Sequence, residues 1–142
     1  VYSADNGAAI SHNSWGFSQP GVFNQSTLDA IDYFIENGGG GVMDKGLVIF
    51  SGGNRNEYTQ FWPGVYHRVI GVSGTTHRDT KAWYSTFHEK LDIAAPGGET
   101  NTTSGGATVD GGRMGVLSTV TVANGSVGYQ QGTSMAAPHV TG

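Results

Sequence analysis

Eleven residues near the C-terminus of this 142-residue sequence, Gly132-Thr133-Ser134-Met135-Ala136-Ala137-Pro138-His139-Val140-Thr141-Gly142, combine a glycine, a hydroxyl and a run of helix formers, and Ser134 is the candidate nucleophile. Gly132 frees the backbone for a tight approach, and Met135, Ala136 and Ala137 favour helix, so Ser134 is expected where a helix begins. Pro138 is tolerated in a first turn and disfavoured in a helix middle, which also places the start at or near Ser134. There, unpaired N–H groups and the positive end of the helix dipole favour negative charge beside the hydroxyl, as an acyl-transfer intermediate requires. The same residues equally describe an ordinary serine N-cap, the commoner use of the pattern.

A second polar group follows Leu47-Val48-Ile49-Phe50, an apolar run that reads as a strand buried on both sides and ends in Ser51-Gly52-Gly53-Asn54. Open α/β sheets place their sites outside the carboxyl ends of such strands. Taken by itself, Asn54 is a turn residue, because Gly-Asn is a common turn pair. Residues 8–16 read as a short strand entering a turn at Asn13-Ser14-Trp15-Gly16, where a tryptophan beside glycine is more often a core anchor than a binding site.

The elements that position these groups are legible in part. Residues 2–7 look like the last turn of a helix, ended by Gly7 in the left-handed conformation. Over 26–37, Leu28, Ile31, Phe34 and Ile35 recur at helical spacing, with Ser26 as the expected cap and Asn37-Gly38 as the stop. Asp29, Asp32 and Glu36 take the other face, most simply as a solvated surface. Residues 38–41, four glycines, are expected to be a flexible insertion, and residues 98–112, rich in Gly, Thr and Ser, a surface loop. Residues 114–120 read as a strand leading to the serine turn.

Composition narrows the function classes. Charged residues make up 13% and the formal net charge is -4, which suggests neither a nucleic-acid surface nor a polybasic membrane patch. With no cysteine there is no thiolate nucleophile, disulfide framework or cysteine-based zinc site to propose. No apolar run approaches the roughly 20 residues that span a bilayer, and residues 1–5 lack a signal-peptide layout. No nucleic-acid or membrane partner is expected.

Residues 132–142 resemble the nucleophile motif of the subtilisin-like serine proteases, the subtilases; the Gly-x-Ser-x-Gly elbow of the α/β-hydrolases fails at Ala136. Asn13-Ser14-Trp15-Gly16, Ser51-Gly52-Gly53-Asn54, Trp62-Pro63-Gly64, Val69-Ile70-Gly71-Val72, Tyr84-Ser85-Thr86-Phe87 and Leu91-Asp92-Ile93-Ala94-Ala95-Pro96-Gly97 follow in the family's order and approximate spacing. The resemblance covers nearly the whole chain, from about Asp5 to Gly142. It implies a three-layer α/β fold with a mostly parallel sheet, here incomplete at both ends, with residues 1–142 forming part of a peptidase domain. It implies that Ser134 attacks a peptide carbonyl and that Asn54, with the Ser134 backbone N–H, holds the oxyanion. Ser14, Trp15 and Gly16 would form one wall of the substrate pocket and Ser51, Gly52 and Gly53 the other, with Arg55 at the rim. Polypeptide substrates, the remainder of the catalytic domain as partner, and a secreted or cell-surface location follow from the same resemblance. In some relatives, carbonyls around residues 64–69 hold a monovalent ion or weakly bound calcium; no carboxylate cluster here compels one, and no cofactor or metal ligand is assigned.

A serine hydroxyl is a weak nucleophile until a base, usually a histidine held by a carboxylate, takes its proton. The family supplies these from an Asp-small-Gly segment and a His-Gly-Thr-His segment, and neither occurs here. His12, His67, His77, His88 and His139 stand in other contexts. The expectation is a serine endopeptidase acting through an acyl-serine intermediate in the complete protein, with the isolated chain inactive. Its rivals are a catalytically inactive, subtilase-like peptide-binding module and a serine hydrolase of another class.

Overall fold

The structure is a computed structural model and describes residues 1–102 and 106–142. Four strands, β1 (Ile10–Asn13), β2 (Leu47–Ser51), β3 (Ile70–Thr75) and β4 (Ile93–Pro96), form one parallel sheet in the order β1-β2-β3-β4. Ile49 pairs with Ile70 and Val72 with Ile93, so the strands are staggered and their carboxyl ends form one rim. Side chains alternate along β2: Val48 and Phe50 pack on one face and Ile49 on the other, each nearly inaccessible to solvent.

Each face receives a helix. Leu28, Ile31, Phe34 and Ile35 of α2 (Gln25–Asn37) cover Val48 and Phe50, and burying each such side chain contributes roughly 1.5–3 kcal/mol. On the other face, Ala136 and Ala137 of α3 (Thr133–Thr141) rest on Ile49, Val72 and Ala95. Methyl-sized side chains let the α3 backbone approach the sheet closely, and the helix contacts all four strands. The result is the expected α/β arrangement of helix, parallel sheet and helix.

Several local expectations shift. The cap of α2 is Asn24, whose Oδ1 accepts from the Thr27 N–H at 3.3 Å, two residues before Ser26. Gly38 ends α2 where expected, in an extended conformation (φ -81°). Gly7, after the short α1 (Tyr2–Asp5), does adopt the left-handed conformation, φ 82°. The glycines at 39–41 are a formed turn and not a loose insertion: all three have positive φ, and Val42 and Met43 both donate to the Gly39 carbonyl. The acids of α2 are paired as well as solvated, with Arg68 on Asp32 at 3.0 Å and Lys45 on Glu36 at 2.6 Å; solvent screening keeps the contribution of such surface pairs small.

The strand expected over 114–120 is β5 (Val116–Thr119), and its antiparallel partner β6 (Val127–Gln130) delivers the chain to Gly132. Of the loop expected over 98–112, residues 103–105 lie outside the described residues; around them Asn101 bridges to Thr108 and Asp110–Gly112 makes a 3-10 turn.

Candidate active site

Gly132, at the N-cap of α3, has φ 142°, a conformation that favours glycine, and its N–H donates to the Gly97 carbonyl at 3.0 Å. The helix therefore begins at Thr133 and Ser134 is its second residue. Ser134 is not the cap, and its hydroxyl is not used to satisfy a helix N–H. Among the described residues, the only hydrogen-bond partner of Ser134 Oγ is the Ser14 carbonyl, at a long 3.4 Å.

Pro138 lies in the interior of α3, beyond the first turn to which local rules assign it. It has no N–H to offer the carbonyl four residues back, which is that of Ser134. That carbonyl instead accepts from Ser14 Oγ at 3.0 Å. A proline inside the helix thus frees the acceptor that ties the start of α3 to the segment after β1.

The turn after β2 meets the same helix start. Asn54 Oδ1 accepts from the Thr133 N–H at 2.9 Å and from Thr133 Oγ1 at 3.0 Å, and Thr133 Oγ1 in turn accepts from the Gly53 N–H at 3.1 Å. Thr133 is fully buried, so this junction is shielded from water. Two donors on Oδ1 fix which end of the carboxamide is oxygen and turn Nδ2 away from Thr133. Among the described residues, neither Asn54 Nδ2 nor the Ser134 N–H has a hydrogen-bond partner. Both can donate to an oxygen that becomes negative beside Ser134 Oγ, at the positive end of the α3 dipole.

A cleft of about 330 Å³ opens next to these donors. Ser14, Trp15 and Gly16 line one side, Ser51, Gly53 and Asn54 the other, and Arg55, Phe61, Thr133 and Ser134 complete it. Gly52, grouped with them from the sequence, does not line it: its N–H bonds the Val72 carbonyl at 2.8 Å, and a Cβ there would press on Leu91. Trp15 is half exposed to the cleft and packs edge-on to Phe50, with ring centroids 5.1 Å apart, so it is both anchor and wall. The Arg55 guanidinium donates to the Ser18 carbonyl at the rim.

Phe61 and Thr133 line the cleft but are not singled out by sequence reasoning. A threonine between Gly132 and Ser134 is the one usable signal, since a hydroxyl that becomes buried at a helix start needs partners. Phe61 carries none: its ring lies across the backbones of Gly16 and Gly53, where a Cβ would come within 2.2 and 2.6 Å of it.

None of His12, His67, His77, His88 and His139 bonds Ser134 Oγ among the described residues; His139, nearby on α3, uses Nδ1 on the Met135 carbonyl at 2.8 Å. Among the described residues no three His, Cys, Asp or Glu side chains converge as a metal site. At residues 64–69 the Tyr66 carbonyl already accepts from the Val69 N–H at 3.1 Å.

Tyr84 supports the turn before α3 from behind. It is 4% exposed, its hydroxyl donates to the Gly98 carbonyl at 2.8 Å, and the adjoining Gly97 carbonyl holds the Gly132 N–H. Burial pushes the phenol up to about 12, with the Glu99 charge adding to the shift and a backbone hydrogen bond at Gly132 opposing it. A folded value above the unfolded one near 10 means that the unfolded chain loses its proton first. The stability contributed by the neutral phenol is thus fully present below pH 10 and is lost as pH rises from 10 to about 12. In chemical denaturation of the full-length protein between pH 9 and 12, wild type should lose stability more steeply than Tyr84→Phe. Parallel pH curves for the two would contradict the assignment.

The subtilase family model matches residues 1–142. An extracellular basic protease of Dichelobacter nodosus is 32% identical over 131 residues, covering 84% of this chain and 20% of that protein. Thermitase of Thermoactinomyces vulgaris is 30% identical over 142 residues, covering all of this chain and 41% of the relative. A solved protease structure from Pseudoalteromonas arctica superposes with a TM-score of 0.72 at 31% identity, covering 94% of this chain and 36% of that one. The chain thus spans between about a fifth and two fifths of the length of these relatives. With a family match over its whole length and an incomplete α/β fold shared with solved relatives, the chain belongs to the subtilase family.

Proposed function

We propose that this chain supplies the nucleophile half of a serine endopeptidase site, with Ser134 as nucleophile and Asn54 as oxyanion donor. One observation carries the reading: Asn54 and Ser134 line one cleft at a helix start, and among the described residues Asn54 Nδ2 and the Ser134 N–H have no hydrogen-bond partner while Ser134 Oγ has only a long one. Ser134 Oγ attacks the peptide carbonyl carbon as its proton passes to a base, and the carbonyl oxygen becomes an anion held by the two donors. Collapse expels the amine, which takes the proton back, and water then releases the acyl group by the same steps. The cleft between Ser14, Trp15 and Gly16 on one side and Ser51, Gly53 and Asn54 on the other takes the substrate side chain that precedes the scissile bond.

The base and its carboxylate partner come from the remainder of the catalytic domain, since among the described residues no histidine bonds Ser134 Oγ. An extracellular location is part of the proposal, supported by the relative named an extracellular protease. No helix of the described residues is long and apolar enough to cross a membrane.

The full-length protein should hydrolyse an unfolded polypeptide and lose that activity on treatment with a fluorophosphonate. Residues 1–142 alone should show no Ser134-dependent turnover, because an unactivated hydroxyl is almost fully protonated at neutral pH. Ser134-dependent hydrolysis by the 142-residue chain would require a base within it and would overturn this division of the site.

A further inference from the structure

His12, the third residue of β1, uses both ring nitrogens on groups tied to the nucleophile helix. Its Nε2 lies 2.8 Å from Ser14 Oγ and its Nδ1 2.9 Å from Thr141 Oγ1. Ser14 has one hydroxyl proton, and the Ser134 carbonyl, 3.0 Å away, takes it. Ser14 Oγ can therefore only accept from His12, so Nε2 carries a proton in either charge state of the ring. With the ring neutral, Nδ1 accepts from Thr141 Oγ1 in preference to that hydroxyl's longer 3.2 Å bond to the Ala137 carbonyl.

The connections run from Thr141, at the last residue of α3, through His12 and Ser14 to the carbonyl of Ser134, its second residue. The imidazole thus grips the helix near both ends. Packing of Ala136 and Ala137 on the sheet already fixes the height of the helix above the strands. Apolar contact is non-directional, however, and leaves rotation and sliding along the helix axis to directional bonds. The Ser14 carbonyl, 3.4 Å from Ser134 Oγ, registers any such slip at the reacting atom.

We propose that His12 is a positioning residue for peptide hydrolysis, acting through Ser14 to set the register of Ser134 against the substrate wall. The assignment rests on the protease reading above. It differs from a general role in holding β1 to α3 by its route: its effect on turnover passes through the Ser14 hydroxyl.

The test uses the full-length protein with His12→Ala, His12→Gln, Ser14→Ala and the double variant His12→Ala/Ser14→Ala. His12→Ala should lower kcat roughly 10- to 100-fold, the scale expected for an ångström of misplacement, and slow fluorophosphonate labelling of Ser134 in parallel while KM changes only about 2-fold. His12→Gln, which keeps an N–H within reach of Ser14 Oγ, should recover most of the loss. In the Ser14→Ala background, His12→Ala should add about 2-fold or less, because the two residues act in series. An unchanged kcat in His12→Ala, or equal losses in both backgrounds, would overturn the assignment and leave the protease reading standing. Absence of Ser134-dependent hydrolysis in the wild type would overturn both.

Discussion

Ser134→Ala in the full-length protein should reduce kcat for a peptide substrate by about 10⁶-fold, a magnitude carried over from the serine knockout in subtilisin, a relative in the same family. The geometry of this chain supplies the direction. Among the described residues Ser134 Oγ does not cap α3 and makes one long hydrogen bond, so its removal should cost the fold almost nothing. The variant should therefore fold with unchanged stability, bind substrate with a KM or Kd within a few-fold, and retain only the catalysis that binding and the oxyanion donors provide. Thermal denaturation and substrate affinity, measured beside turnover, separate this outcome from simple unfolding. Turnover within about 10-fold of wild type would place the nucleophile elsewhere.

Asn54→Ala should lower kcat by roughly 10²- to 10³-fold with KM little changed, because the amide bonds a developing oxyanion more strongly than a ground-state carbonyl; this range too comes from the corresponding asparagine of subtilisin. The structure adds a complication and a control. Asn54 Oδ1 also satisfies Thr133 N–H and Oγ1, so alanine removes an acceptor from a buried junction as well as a donor from the cleft. Leaving a buried N–H unpaired costs about 1–3 kcal/mol, which would appear as lost stability alongside lost activity. Asn54→Asp keeps the acceptor for Thr133 and replaces the donor with a negative oxygen. It should preserve more stability than alanine and yet be no more active. An active Asn54→Asp enzyme would make Asn54 an anchor for the helix start and not an oxyanion donor.

The parts of the fold with strong periodicity were legible. Leu28, Ile31, Phe34 and Ile35 mark α2, and the apolar run at 47–50 marks β2, because one-sided burial and two-sided burial leave different spacings in sequence. What could not be read depends on partners distant in the chain. Asn24 and Ser26 are both good caps, and only the entry path of the chain chooses between them. Pro138 argues for a first-turn position by local rules, yet it sits inside α3 because Ser14, far earlier in the chain, takes up the carbonyl it frees. Gly52 and Gly53 look alike in sequence, but the alternation along the end of β2 sends one toward Leu91 and the other to Phe61 and the cleft.

The central claim is that Ser134 is the residue that forms the acyl bond. Treatment of the full-length protein with a fluorophosphonate, followed by proteolysis and mass spectrometry, locates the modified residue. A single adduct is expected on the peptide containing Gly132-Thr133-Ser134, absent in Ser134→Ala and formed more slowly in Asn54→Ala. An adduct on a different residue, or hydrolysis that survives complete modification of Ser134, would contradict the claim.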